Sequence, residues 1–157
     1  MAFDGIAVSA VVAELNDKLA NTRVAKIYQP NRHTIIIHLR DIGQNHKLLI
    51  SADPSSPRIH TTSAPDPNPQ TPPAFCMLLR KHLEPSRVLD VRQVEFERII
   101  VIRFEAYDLD AGMGEKSLVF ELMGRNSNLI LIDQDQTIID AIYRNTDSNH
   151  ERPVMPG

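Results

Sequence analysis

Residues 24–52, VAKIYQPNRHTIIIHLRDIGQNHKLLISA, hold three runs rich in Ile, Val and Leu, at 24–29, 34–40 and 47–52. Pro30-Asn31 and Gly43-Gln44-Asn45 interrupt them, and such residues between β-formers mark turns. Connections this short leave no room for crossover helices, so the three strands are expected to pair antiparallel. A short extended piece at 58–61 is a candidate fourth strand.

Upstream, Ile6, Val8, Val11, Val12, Leu15 and Leu19 recur every three or four residues, which predicts a helix over about 5–20. Asp4 is placed to cap it, and Asn21-Thr22 to stop it. Downstream, residues 63–73 carry five prolines, so the segment is expected to cross the surface as a loop rather than join a sheet. Thr71 as cap and Pro72 as first helical residue then predict a second helix, with Phe75, Leu78, Leu79 and Leu83 on its apolar face and an end at Pro85. The remainder reads as β: hairpin arms at 88–94 and 99–104, a second pair at 117–123 and 128–132, and a last strand at 137–143. Runs of strands with only two helices give the class α+β, an antiparallel β-sandwich or bent sheet carrying two helices. Residues 1–143 form the expected domain, and 144–157 a polar tail leading towards further domains.

The chain has 157 residues, 42% apolar and 24% charged, close to globular averages and far from a disordered composition. No run approaches the ~18 apolar residues of a membrane-spanning helix. The first basic residue is Lys18, and Asp4, Glu14 and Asp17 break up the opening, so no secretory signal is expected and the setting is read as cytoplasmic. The single cysteine excludes an internal disulfide and any multi-cysteine zinc site. The net charge of −3 hides an asymmetry: residues 1–94 hold 11 basic and 8 acidic side chains, residues 95–157 hold 6 and 12. Six cations (Lys18, Arg23, Lys26, Arg32, Arg40, Lys47) face one acid, Asp41, between 18 and 47. Such a stretch attracts phosphate locally; it equally serves to solvate strand edges.

Catalytic signatures are missing. There is no phosphate-cradling glycine loop, no dinucleotide fingerprint and no Gly-x-Ser-x-Gly elbow. His33 and His38 fall on opposite faces of a strand and cannot share a metal. Cys76, flanked by Phe75 and Met77, reads as a small buried side chain. Arg80-Lys81-His82 suits the negative end of a helix dipole. Charged residues at turns remain: Asp4-Gly5 before the first helix, Glu97-Arg98 at a hairpin tip, and Arg125 within Glu121-Leu-Met-Gly-Arg-Asn-Ser-Asn128. Gly124 and Asn126 permit a tight turn there, and an outward Arg offers a planar donor fork matched to phosphate or a guanine edge.

Several blocks resemble the N-terminal NFACT domain of the RqcH/NEMF family, known in bacteria as fibronectin-binding protein A. They are Met1-Ala-Phe-Asp-Gly5, Val24-Ala-Lys-Ile-Tyr-Gln-Pro30, Lys47-Leu-Leu-Ile-Ser-Ala52, Thr71-Pro-Pro-Ala-Phe-Cys-Met-Leu-Leu-Arg-Lys-His-Leu83, Glu97-Arg-Ile-Ile100 and Glu121–Asn128. The resemblance implies a ribosome-associated quality-control factor. Such factors bind large subunits obstructed by peptidyl-tRNA and recruit tRNA, chiefly alanyl-tRNA, for C-terminal tailing of stalled chains. It implies tRNA-contacting roles for Asp4, Glu97, Arg98 and Arg125, with no catalysis, cofactor or metal in this domain. The family pattern has Asp before this Arg; Glu97 keeps the charge and adds a methylene of reach. The older family name implies fibronectin as an alternative partner, for a surface adhesin. The domain also resembles the N-terminal domain of formamidopyrimidine-DNA glycosylases, but their nucleophile is an N-terminal proline amine, and position 2 here is Ala2.

Overall fold

The computed structural model describes residues 5–64, 71–94, 97–108 and 112–144. Two helices, α1 (Gly5–Leu19) and α2 (Ala74–Leu83), accompany nine strands. These are β1 (Arg23–Asn31), β2 (Thr34–Asp41), β3 (Gln44–Ser51), β4 (Arg58–Thr62), β5 (Ser86–Gln93), β6 (Ile99–Asp108), β7 (Gly112–Glu121), β8 (Asn128–Ile132) and β9 (Ile138–Ala141). All pair antiparallel in one sheet of order β4-β3-β2-β1-β5-β6-β7-β8-β9. The α+β class, two helices with a large antiparallel sheet, is as the sequence predicts.

Alternation builds one core from both halves. Ile35, Ile37 and Leu39 of β2, Leu48 and Ile50 of β3, Ile100, Ile102 and Phe104 of β6, and Leu118 and Phe120 of β7 meet Val8, Val12, Leu15 and Leu19 of α1 and Leu79 and Leu83 of α2 in a single buried cluster. The two halves join at one residue pair, Arg23 with Arg87. Further along, β1 has lost its β5 neighbour, and α2 supplies the missing partners. Ile27 N donates to Glu84 Oε2 at 2.8 Å, and Ile27 O accepts from Arg80 Nε at 2.8 Å. Arg80 also lies over the Tyr28 ring, 5.6 Å from its centroid. His82 Nδ1 lies 2.8 Å from Lys116 Nζ on β7. Arg80 and His82 of the basic trio therefore bind strands, a role beyond the dipole reading, because these contacts are long-range.

Asn21 takes φ 71°, a left-handed conformation that Asn tolerates better than most residues, and α1 ends just before it. Asp4, expected as its cap, lies outside the described residues. The start of α2 corrects the sequence reading: Ala74, not Pro72, is the first helical residue, and Pro73 precedes it in extended geometry without a side-chain cap. A residue before proline is pushed out of the helical region, so Pro72 cannot open a helix while Pro73 follows it. Strands β6 and β7 also run beyond the predicted arms, to Asp108 and from Gly112. Cys76 is fully buried with its Sγ 3.6 Å from Ile27 O, and burial pushes its thiol up, as befits a packed rather than a reactive side chain. After β9, Tyr143 returns to the first half of the sheet, its hydroxyl donating to Ala52 O at 3.0 Å and touching His33 Nδ1.

Candidate nucleic-acid interface

The two charged turns singled out in the sequence lie side by side. β5 and β6 form a hairpin whose tip carries Glu97 and Arg98. Its backbone is fixed locally: Glu97 N donates to Val94 O at 2.7 Å, Val94 N to Ile99 O at 3.0 Å, and Gln93 Nε2 to Glu97 O at 2.8 Å. β6 then pairs with β7 along its whole length, ending with Ile99 opposite Glu121. One more bond extends that ladder: Leu122 N donates to Arg98 O at 2.9 Å. The chain then enters a 3₁₀ turn at Gly124–Asn126, which holds Arg125. Asn126 N donates to Met123 O at 3.1 Å, and Met123 N to Ser127 Oγ at 2.9 Å. Asn128 secures the exit, its Oδ1 accepting from Leu129 N at 2.9 Å and from Tyr143 N at 3.2 Å, and its Nδ2 donating to Tyr143 O at 3.1 Å. Gln93, Ser127 and Asn128 are the residues whose positioning work the charge pattern alone did not indicate. Their signal was present as polar side chains flanking apolar strands.

Glu97, Arg98 and Arg125 are exposed, and none of the three side chains has a hydrogen bond or ion pair among the described residues. Two guanidinium forks and a carboxylate are thus presented to solvent from adjacent rigid turns. Glu121, at the end of β7, is buried at 4% exposure between the cross-strand neighbours Ile99 and Asn128. Backbone and side-chain bonds fix the direction of α1, the helix that follows Asp4, against β5. Val91 N donates to Asn16 Oδ1 at 2.9 Å, while Asn21 N donates to Val88 O at 2.7 Å and Val88 N to Thr22 O at 2.8 Å. α1 therefore runs antiparallel to β5, and its first turn lies toward the hairpin end of the sheet.

The neighbouring strand faces are neutralised, in contrast to the tip. On β5 and β6, Arg103 Nε donates to Asp90 Oδ1 at 2.8 Å, Arg103 also pairs with Glu115, and Arg92 Nε lies 3.1 Å from Asp90 Oδ2. The Arg103 guanidinium holds the Asp90 carboxyl below the usual carboxylate range, against the opposing effect of burial. A carboxyl lowered on folding contributes stability above its unfolded value, about 3.9, and loses that contribution as pH falls through the folded value. Asp90→Asn is therefore expected to lower the unfolding free energy by about 1 kcal/mol near neutral pH. The gap to the unsubstituted protein should narrow as pH falls from the unfolded value and close once pH has passed below the lowered folded value, as read by urea unfolding across a pH series. A gap independent of pH would show that the bond, not the charge, matters.

No group of three His, Cys, Asp or Glu able to hold a metal ion occurs among the described residues. No helix among them is long and apolar enough to cross a membrane.

Residues 4–157 match the family described as NFACT N-terminal and middle domains. The chain is 40% identical over 159 residues to the Rqc2 homolog RqcH of Bacillus subtilis, covering all of this chain and 28% of that protein. It is 33% identical over 147 residues to the human ribosome quality control complex subunit NEMF, covering 92% of this chain and 13% of that protein. The chain thus spans less than a third of the length of these curated relatives. Among solved structures, the N-terminal domain of the fibronectin-binding protein PavA from Streptococcus pneumoniae superposes with a TM-score of 0.93. It is 34% identical, over 99% of this chain and 60% of that one. The N-terminal part of the fibronectin/fibrinogen-binding protein from Streptococcus suis gives 0.94 at 35% identity, over 99% and 59%.

Proposed function

The chain belongs to the NFACT N-terminal family, and from that premise we propose that it is the tRNA-holding module of a cytoplasmic ribosome quality-control factor. The observation that carries this reading is the adjacency of Arg98 and Arg125. The two lie 27 positions apart in sequence, yet the Leu122–Arg98 backbone bond keeps their turns together with both guanidinium groups unpaired among the described residues. A pair of such forks grips phosphates or guanine edges, and a neighbouring carboxylate at Glu97 accepts from base amino groups. In this reading Arg98 and Arg125 bind the tRNA, Glu97 and Asp4 orient those contacts, and the module itself makes no bond. It holds alanyl-tRNA near a large subunit obstructed by peptidyl-tRNA, where the ribosome extends the stalled chain.

The test is tRNA binding by the protein across a salt series, together with sedimentation on large ribosomal subunits. Each phosphate contact should contribute about −0.7 to −0.9 to the slope of log affinity against log salt. A flat response, or no binding at any salt, would sink the proposal. The fibronectin-binding names of the structural relatives support a second reading, a surface adhesin domain. Saturable, salt-insensitive fibronectin binding on intact cells would favour it over the first.

A further inference from the structure

Arg40, Arg23 and Arg87 stand opposite one another on three neighbouring strands: β1 pairs Arg23 with Arg40 of β2 on one side and with Arg87 of β5 on the other. Cross-strand partners project to one face, so three guanidinium groups form a row. Like charges placed directly opposite destabilise a sheet. Arg87 is compensated: its Nη1 donates to Asn21 Oδ1 at 2.7 Å, and it lies 3.4 Å from Glu105. Arg23 and Arg40 are exposed and have no hydrogen-bond or ion-pair partner for their side chains among the described residues. Lys26, also exposed, continues the same face opposite His38, which itself pairs with Lys47.

The row belongs to a wider polarity. Strands β1–β4 carry five Arg and Lys against one acid, whereas β5–β9 carry four against six. Beside the Arg23–Arg40 pair the strands present no strongly exposed large hydrophobic side chain; Tyr28, Ile36 and Leu49, farther along the same face, are half-buried or buried. The large hydrophobic side chains exposed among the described residues are Ile42, Met77, Val94, Tyr107 and Met113, and none lies on strands β1–β4. Protein interfaces centre on buried aromatic and apolar anchors. A face of unpaired arginines without them matches a polyanion instead. Arg87 lies six residues from Gln93 along β5, so at ~3.3 Å per residue the near end of the row sits about 20 Å from the hairpin tip.

We propose that Arg23, Arg40 and Lys26 form a second RNA-backbone surface, about 20–30 Å from the Arg98–Arg125 pair, engaging the phosphates of the RNA that the hairpin end holds. This rests on the tRNA-binding reading above. Two weak surfaces on one RNA raise each other's effective concentration, so neither needs high affinity alone.

The test is the double variant Arg23→Gln/Arg40→Gln in tRNA binding across a salt series, beside Arg98→Ala. The variant should bind about tenfold more weakly near 0.1 M salt and lose about 1.5 from the salt slope, with preference among tRNAs unchanged. Its unfolding temperature should hold or rise, since a like-charge contact is removed. Unchanged affinity and slope, while Arg98→Ala still weakens binding, would overturn this surface alone. A protein that binds no tRNA at all would overturn the underlying reading and the surface with it, and Arg98→Ala would then have nothing to lower.

Discussion

Replacing Arg98 by Ala is expected to weaken tRNA binding about ten- to hundredfold, corresponding to the loss of one bidentate contact of roughly 1–3 kcal/mol, and to leave the unfolding temperature where it is. The two halves of that expectation have separate causes. The guanidinium is exposed and unpaired among the described residues, so the folded protein loses no contact when it is removed. The backbone around it is held by main-chain bonds that Ala preserves, Leu122 N to Arg98 O among them. Arg125→Ala should act in the same direction, and if the two turns grip one ligand, as proposed, the double variant should fall short of additivity. Glu97→Asp, which shortens the reach by one methylene, tests whether the carboxylate touches RNA: a change in discrimination among tRNAs would place it on a base edge, and a uniform small loss would make it a brace for Arg98. Filter binding and tailing of a stalled chain are the two readouts. Tailing and tRNA recruitment intact in Arg98→Ala would remove this residue, and with it the hairpin tip, from the interface.

The strands with clean apolar character were legible from residue order alone, as was α1, whose stop at Asn21 follows from the left-handed tolerance of Asn. The buried thiol of Cys76 followed from its apolar neighbours. The second half of the β6–β7 hairpin was not legible. Glu105, Tyr107, Met113 and Glu115 alternate with smaller or buried positions, but acids and glycines there imitate a loop, and only pairing with an established strand makes them β. That missing element matters for the site, because the β6–β7 ladder is what carries Arg125 back beside Arg98. Charge at turns marked both residues as candidates, and family resemblance assigned them a role. Their adjacency required the register. The same holds for the Arg40–Arg23–Arg87 row, which sequence reading saw only as a basic stretch, since a count of charges cannot tell that three of them face one another.

Phe120→Ala is expected to be among the most damaging single changes to the scaffold, lowering the unfolding free energy by about 3–5 kcal/mol. Phe120 is fully buried and stands between Ile100 of β6 and Leu129 of β8, both equally buried, so removal of the ring leaves a cavity that three paired strands cannot close by a local shift. Against a total stability of about 5–15 kcal/mol, and about 2–4 °C per kcal/mol for a chain of this size, the melting temperature should fall by about 6–20 °C. Val119→Ala, the next residue on the same strand, supplies the contrast. Its side chain packs on the opposite face with Ile130, Ile132 and Ile138, a small partly exposed cluster, and the loss there should stay below about 1.5 kcal/mol. Equal losses at the two positions would mean that the outer cluster is covered by something more than these side chains. The two variants also separate scaffold from interface. Phe120 lies one residue before the buried Glu121 and two before Leu122, whose N–H holds the Arg98 turn. If the turns are held by the strand ladder, Phe120→Ala should bind tRNA normally at temperatures where it remains folded and lose binding with its unfolding transition. A loss of binding well below that transition would instead show that the packing under β7 sets the geometry of the Arg98–Arg125 pair directly.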